Sequence, residues 1–469
     1  MIYVVVLVSV IVLLVALHNW RQGILALLVI GLIQDPIRKL THGAPASFIL
    51  WSAAIFGAII IIAWFNRAIT NTRPLNLGSP EVGSAWMLFF ILIVLQVFNT
   101  FFRWGSPPLV ILGLMFYLAP VLALLVSTAY ANSFRQVDRF MKFYVWIMVP
   151  AVLTVYLSPA YSDAWPVLRD VGTFSGQALI IYDVGKALMS HPGIFRVGEM
   201  AAWHGAMAAC FLIILTHKHP STMFKVLVAT LIVLIVGAIV LTGRRKMIMA
   251  LSVFVVAQWG LIAFYGKGGG RKALGVMFLG LVGSLAFLLL DEAEGSSEYF
   301  QRGTTVFGDV GERLLLSYDL MMAAFHRSQW IGLGAGVTSQ GARFVGMASD
   351  AGGAAEAGTG KILVELGLPG MLICLWLMFV LARRLLTIFR QLAQSDETLF
   401  YYAVSFFAMI VANVMTFVVA TQIYSDPFVL IVLGMIAGFL FAICRVGTMK
   451  VSRVVELSPG VLMPVNRRT

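Results

Sequence analysis

The sequence predicts an all-α polytopic membrane protein, with 12 or 13 transmembrane helices and a large outer-face loop that contains a membrane-surface helix. Three observations predict it. Hydrophobic residues make up 60% of the 469, charged residues only 12%, and mean hydropathy is +0.93, whereas a soluble chain is roughly 25% charged. Apolar runs of about the 20 residues that a helix needs to cross a bilayer recur along the whole chain. These runs do not alternate polar with apolar residues as the strands of a membrane barrel would.

The first run, MIYVVVLVSVIVLLVALHNW, has no basic segment before it and no clear small-residue cleavage site, so it reads as a retained span at 2–18. The next, 22–35, is short, and Pro36 is expected to end it. Spans follow at 47–66, 84–101, 107–129 and 140–158. After a polar segment at about 159–197 they resume at 198–216, 222–242, 246–265 and 273–290. The longest break, 291–361, precedes the last three, at 362–382, 399–420 and 427–445. No internal repeat is evident, which weakens the case for transporter folds built from repeats. The chain thus divides into N-terminal transmembrane helices (1–190), a transmembrane core with the outer loop (191–445) and a basic tail (446–469).

Orientation follows from the tail, where Arg445, Lys450, Arg453, Arg467 and Arg468 mark the cytoplasmic side. Counting back places Arg383, Arg384 and Arg390 inside, with Lys267, Arg271 and Lys272 and with Arg135, Arg139 and Lys142. The breaks at 159–197 and 291–361 fall outside. So does the turn carrying Arg244, Arg245 and Lys246, against the positive-inside bias. Three cations at an outer helix junction call for a counter-charge or an anionic ligand. Arginine suits bidentate phosphate contacts, while snorkelling to headgroups is the simpler alternative.

Composition also bounds the partners. The net charge is +12, but the basic residues fall in short groups between spans, which fits membrane lipid and topology rather than nucleic acid. Cys210, Cys374 and Cys444 lie in apolar runs without metal-ligand spacing, so neither a disulfide framework nor a metal or other cofactor is expected.

The 291–361 break holds nine of the 21 acidic residues, together with Arg302, Arg313, Arg327, Arg343 and Lys361. Asp309 and Glu312 have capping-box spacing and open an apolar run, ERLLLSYDLMMAAFH, with Arg313 on its first turn. GLGAG at 332–336 reads as a turn and not as a nucleotide motif. Glu356 closes the break, either as a cap or partner of Lys361 or as a carboxylate placed to take a proton at a membrane mouth. In the other outer segment, Arg196 and Glu199 could pair at i and i+3, and His204 reads as a hydrogen-bonded core histidine.

The order of these pieces, FRVGEMAAW, LTGRRKMIMAL, ERLLLSYDLMMAAF, WIGLGAG and EAGTGKILVELGLPG, resembles the O-antigen ligase and O-unit polymerase superfamily of bacterial inner-membrane glycosyltransferases over about residues 190–375. Glu356 stands where that family usually has a histidine. The cell-wall polymerases of the shape, elongation and division group look similar in using an acid in this loop, which favours a polymerase over a ligase. The resemblance implies a GT-C-like fold in the bacterial inner membrane, with the active loop on the periplasmic face. It also implies metal-independent, inverting transfer from a glycan on undecaprenyl pyrophosphate, and a chain-length regulator as a candidate partner. On this reading Arg244 or Arg245, with Arg313 and Arg196, grips the pyrophosphate, and Glu356 is the general base. The alternatives are an O-antigen-type ligase and a non-enzymatic transporter of lipid-linked oligosaccharide.

Overall fold

The computed structural model describes residues 1–68, 75–172, 180–183, 186–219, 221–266, 299, 310–328, 330–339, 342 and 357–457. Ten helices among them are long and apolar enough to cross a membrane, and the chain is a multi-pass, almost wholly helical membrane protein. In order the helices are α1 (Ile2–His18), α2 (Trp20–Leu40), α3 (Trp51–Phe65), α4 (Pro80–Trp104), α5 (Pro107–Tyr130) and α6 (Phe134–Leu153). A single turn, α7 (Ser158–Tyr161), precedes α8 (Gly198–Thr216), α9 (Thr222–Leu241) and α10 (Lys246–Tyr265). Then come α11 (Val310–Arg327), α12 (Gly358–Ser395), α13 (Glu397–Val419) and α14 (Pro427–Leu457). Among the described residues the one sheet is a small antiparallel ribbon, β1 (Ile180–Asp183) with β2 (Lys186–Met189). The span expected at 273–290 lies outside the described residues.

Pro36 does not end α2. The helix continues through it to Leu40, because tertiary bonds hold the last turn: Lys39 Nζ donates to the carbonyls of Val167 and Gly193 at 2.9 and 3.0 Å. Those contacts offset the hydrogen bond that proline removes. α6 starts at Phe134 rather than 140, since its charged first turns are helical and solvent-facing.

Burial identifies the centre of the bundle. The most apolar stretches of α8 and α14 are 94% and 89% buried, against 22% for α9 and α10, so the former are the core and the latter face lipid. α14 lies close along α5 because Gly434 and Gly438 present no side chain. A Cβ on the first would run into the Pro120 carbonyl, and one on the second into Ser127 Oγ. This small-xxx-small spacing lets two membrane helices approach closely. Two polar contacts lie deep in the core, where hydrocarbon offers no other partner. Tyr144 OH is 2.7 Å from His204 Nδ1, so His204 is the core histidine expected, and Trp203 Nε1 donates to Asn413 Oδ1 at 2.9 Å.

Segments that the sequence count assigns to one side lie together at one end of the bundle. At one end Arg196 meets Asp426 and Trp104 Nε1 donates to the Leu333 carbonyl. At the other, Lys218 meets Asp138 and Arg384 Nε donates to the Leu77 carbonyl.

Candidate functional site

The first group of charges forms where α8, α10 and α14 begin. The chain reaches α8 in extended conformation at Val197, and Gly198 follows, where a Cβ would meet Ser190 Oγ. That close approach brings the start of α8 against the end of α9. α9 then closes through Gly243, at φ +69°, a left-handed conformation that glycine adopts without strain, and α10 starts at Lys246. The tight turn explains why three successive basic residues sit at one junction.

Two of those three face inward. Glu199, on the first turn of α8, lies 3.1 Å from Arg244 Nη1 and 2.8 Å from Lys246 Nζ. Lys246 also donates to Gln422 Oε1 at 3.2 Å. Gln422 opens a one-turn 3-10 helix, Gln422–Ser425. Next in the chain, Asp426 caps α14, Oδ1 accepting from the Val429 N–H at 2.9 Å, and its Oδ2 is 2.6 Å from Arg196 Nη1. The Arg196 N–H donates to Asp35 Oδ2 at 3.0 Å. Arg196 and Glu199 therefore do not form the i, i+3 pair that their spacing allowed: Arg196, which precedes the helix, meets Asp426, and Glu199 meets Arg244 and Lys246.

Arg196, Val197, Glu199, Met200, Arg244, Gln422 and Ile423 enclose a cavity of about 210 Å³. At ~30 Å³ per water, this is room for several waters or a small anion. Burial works against the charge of Arg196, but Asp426 and Asp35 more than offset it and hold its pKa above the ordinary value. Asp170 is pushed up by burial, against the Gly172 N–H and the charges of Lys39 and Arg244. Arg244 Nε is buried with no hydrogen-bond partner among the described residues.

A second group of charges lies in the first turns of α12. That helix breaks at Gly367, φ +72°, two residues before Pro369. Pro369 has no N–H for the Glu365 carbonyl, and the Leu368 N–H donates instead to the Trp330 carbonyl at 2.9 Å. The orphaned carbonyls of Val364 and Glu365 accept from Leu333 and Gly334 at 2.7 and 3.1 Å. GLGAG is thus the turn expected, and it supplies the donors that the broken helix lacks. Gln96 Nε2 and Thr100 Oγ1 of α4 fasten the turn through the carbonyls of Ile331 and Ala335.

Beneath that turn Glu365 is fully satisfied. Its Oε1 accepts from Lys361 Nζ at 2.7 Å, Thr338 Oγ1 at 2.6 Å and the Thr338 N–H at 2.9 Å, and its Oε2 accepts from Tyr117 OH at 2.7 Å. Lys361 Nζ also lies 4.3 Å from the Phe116 ring centre. Lys361 thus has Glu365, at i+4 of its own helix, as a carboxylate partner; Glu356, the partner weighed from the sequence, lies outside the described residues.

Of the residues named from the sequence, the structure brings Arg196 and Arg244 into one cavity wall. Arg245 stands beside them as the residue before α10. Arg313 lies on α11, the loop helix that the sequence predicts, but its side chain lies outside the described residues, as do Glu356 and Asp309, the cap expected from the sequence. Sequence reasoning missed Asp35, Asp170, Gln422 and Asp426. The signal for two of them was present: an acid just before a proline at the end of an apolar run (QDP, SDP) needs a cation or a helix N-terminus to satisfy it.

Between α4, α5, α12, α13 and α14 runs an open, almost wholly apolar groove of about 330 Å³, lined among others by Trp86, Phe116, Tyr117, Phe417, Tyr424 and Leu433. Its Tyr424 belongs to the same 3-10 turn whose Gln422 and Ile423 line the cationic cavity. Compared with known proteins, the chain matches no family model and no curated protein.

Proposed function

We propose that the protein is a metal-independent, inverting glycosyltransferase that polymerises oligosaccharide repeat units carried on undecaprenyl pyrophosphate into a surface or exopolysaccharide. The observation that carries this reading is the adjacency of a cationic cavity and an apolar groove on the two sides of the Gln422–Ser425 turn. A lipid diphosphate has those two parts, a hydrocarbon chain and a compact polyanion. Arg196 and Arg244 supply the positive charge in the wall, and Lys246 adds a cation behind it through Glu199 and Gln422. The order of motifs that resembles the O-antigen polymerase superfamily supports the same reading.

In this mechanism an acceptor sugar hydroxyl gives its proton to Glu356 while its oxygen attacks the anomeric carbon of the donor. The carbon–oxygen bond to the pyrophosphate breaks on the opposite face, and the configuration inverts. The leaving pyrophosphate takes the bonding electrons, and fixed cations stabilise the charge it gains. Arg244 and Arg196 hold it from the cavity, and Arg245 and Arg313 complete the clamp. The site faces the periplasmic side of the inner membrane.

A second reading, a non-enzymatic transporter of lipid-linked oligosaccharide, is favoured by one observation. α12 is a broken helix with a buried ion pair beside the break, as transporter helices often are. One experiment separates the two. Purified protein receives a lipid-linked oligosaccharide in EDTA, and glycan length is compared for wild type, Glu356→Gln and Arg313→Ala. Elongation by wild type alone, with both variants folded, supports the polymerase. Movement of the lipid-linked donor across a vesicle membrane with no new glycosidic bond overturns it in favour of transport. Full activity in Glu356→Gln removes that residue as the base.

A further inference from the structure

The end of the bundle opposite the cavity carries a different arrangement of charge. α6 opens FRQVDRFMKFYVW, placing Arg135, Arg139 and Lys142 at i, i+4 and i+7 and Trp146 at i+11, all on one stripe. All four are exposed, Trp146 at 72%. Lys218, two residues beyond α8, lies against the same surface, its Nζ 2.8 Å from Asp138 Oδ2 and 4.7 Å from the Tyr402 ring centre. Tyr402 OH donates to Asp138 Oδ1 at 2.9 Å. These side chains, with Phe134 and Phe143, border an open recess of about 830 Å³.

The charge of this recess is unbalanced. Among the described residues Asp138 is the one carboxylate that lines it, and Lys218 and Tyr402 occupy both of its oxygens. Among the described residues Arg135, Arg139 and Lys142 have no carboxylate within ion-pair distance. Three cations on adjacent turns repel one another unless an anion lies between them. The stripe runs from these cations into an apolar span through Trp146, a residue type that concentrates where headgroups meet hydrocarbon. A free anion or a soluble acidic partner would match the first two turns and leave the exposed tryptophan unmatched.

We propose that this recess binds the headgroup of an anionic phospholipid, its phosphodiester held by Arg135, Arg139 and Lys142 and its acyl chains lying along α6 past Phe143 and Trp146. Basic pockets of this kind at helix ends are a known route to acidic-lipid recognition. The fixed side is Lys218, locked by Asp138, so the recess keeps its shape without the lipid. The inference does not depend on the glycosyltransferase reading.

The test is native mass spectrometry of the full-length protein released from detergent with phosphatidylglycerol or phosphatidylcholine of the same chains, with and without millimolar inorganic phosphate. Phosphatidylglycerol should be retained at least about tenfold more, phosphate should not displace it, and Arg135→Gln/Arg139→Gln/Lys142→Gln should remove the preference. Arg383→Gln/Arg390→Gln, which removes charge from the same end outside the recess, should keep it. Equal retention of both lipids, or equal loss in the two variants, overturns the proposal. Displacement by phosphate shows a simple anion site and overturns the lipid assignment. Trp146→Ala, with no charge change, should weaken retention of phosphatidylglycerol several-fold, and unchanged retention would contradict the path assigned to the chains.

Discussion

Two groups of buried charge sit at the same end of this bundle and are built in opposite ways. Around Glu365 every interaction closes inward: one carboxylate takes four hydrogen bonds from Lys361, Thr338 and Tyr117, and lysine and glutamate are 1% and 0% exposed. Around Glu199 one carboxylate is shared by Arg244 and Lys246, a guanidinium nitrogen is left without a hydrogen bond, and a cavity opens beside them. A buried ion pair with complete hydrogen bonding has nothing left to offer a ligand. One with surplus cations and adjoining space does. On the proposed function, then, burial of charge alone does not mark the site, and completeness of pairing is what separates the two groups.

The contrast is testable, and the largest effect belongs to the closed pair. Lys361→Met strands a buried carboxylate and should cost about 3–5 kcal/mol of stability, most of it recovered in Lys361→Met/Glu365→Leu. Reversible unfolding in mixed micelles measures both. A single variant of full stability but no transfer activity would move this pair from architecture to chemistry and break the comparison.

The open group should respond the other way. Arg244→Ala leaves Glu199 paired with Lys246, so the fold should persist, while glycan transfer falls by ~10²–10³, the usual loss when a donor to a developing anion is removed. An initial-rate assay on the folded variant reads this directly. Smaller effects sharpen the line between the groups. Thr338→Val deletes one donor to Glu365 and should cost ~1–3 kcal/mol of stability, while any protein that remains folded keeps its transfer rate per molecule. Gln422→Ala frees one bond of Lys246, should change stability by only ~1 kcal/mol, and should weaken binding of a lipid diphosphate several-fold.

How much of this was legible in the sequence follows the range of the interactions. Spans and the loop helix rest on local composition, and there the reading agrees with α3 to α6, α8 to α11 and α12 to α14. The end of α2 was misread because Lys39 is held by carbonyls 128 and 154 residues away, which local proline rules cannot see. At the candidate site Arg244 was found because cations on the wrong side of the positive-inside pattern stand out, and Arg196 because it precedes a span in the run FRVGEMAAW that carries the resemblance. Asp35 and Asp426 were passed over because a lone acid beside a proline looks like a helix terminus. Only the fold shows that both acids meet Arg196. The i, i+4 spacing of Lys361 and Glu365 was passed over, since the sequence reading set Lys361 against Glu356, and the pair is completed by Thr338 and Tyr117, 23 and 248 residues distant from their respective partners.

The measurement that tests the central claim most directly is binding of undecaprenyl diphosphate in EDTA to wild type, Arg244→Ala and Thr338→Val, each confirmed folded. The account predicts saturable binding by wild type and Thr338→Val, and at least about tenfold weaker binding by Arg244→Ala, as expected from loss of a charge-assisted contact to phosphate. Equal binding by wild type and Arg244→Ala, or loss of binding confined to Thr338→Val, would contradict it and place the ligand away from the Glu199 cavity.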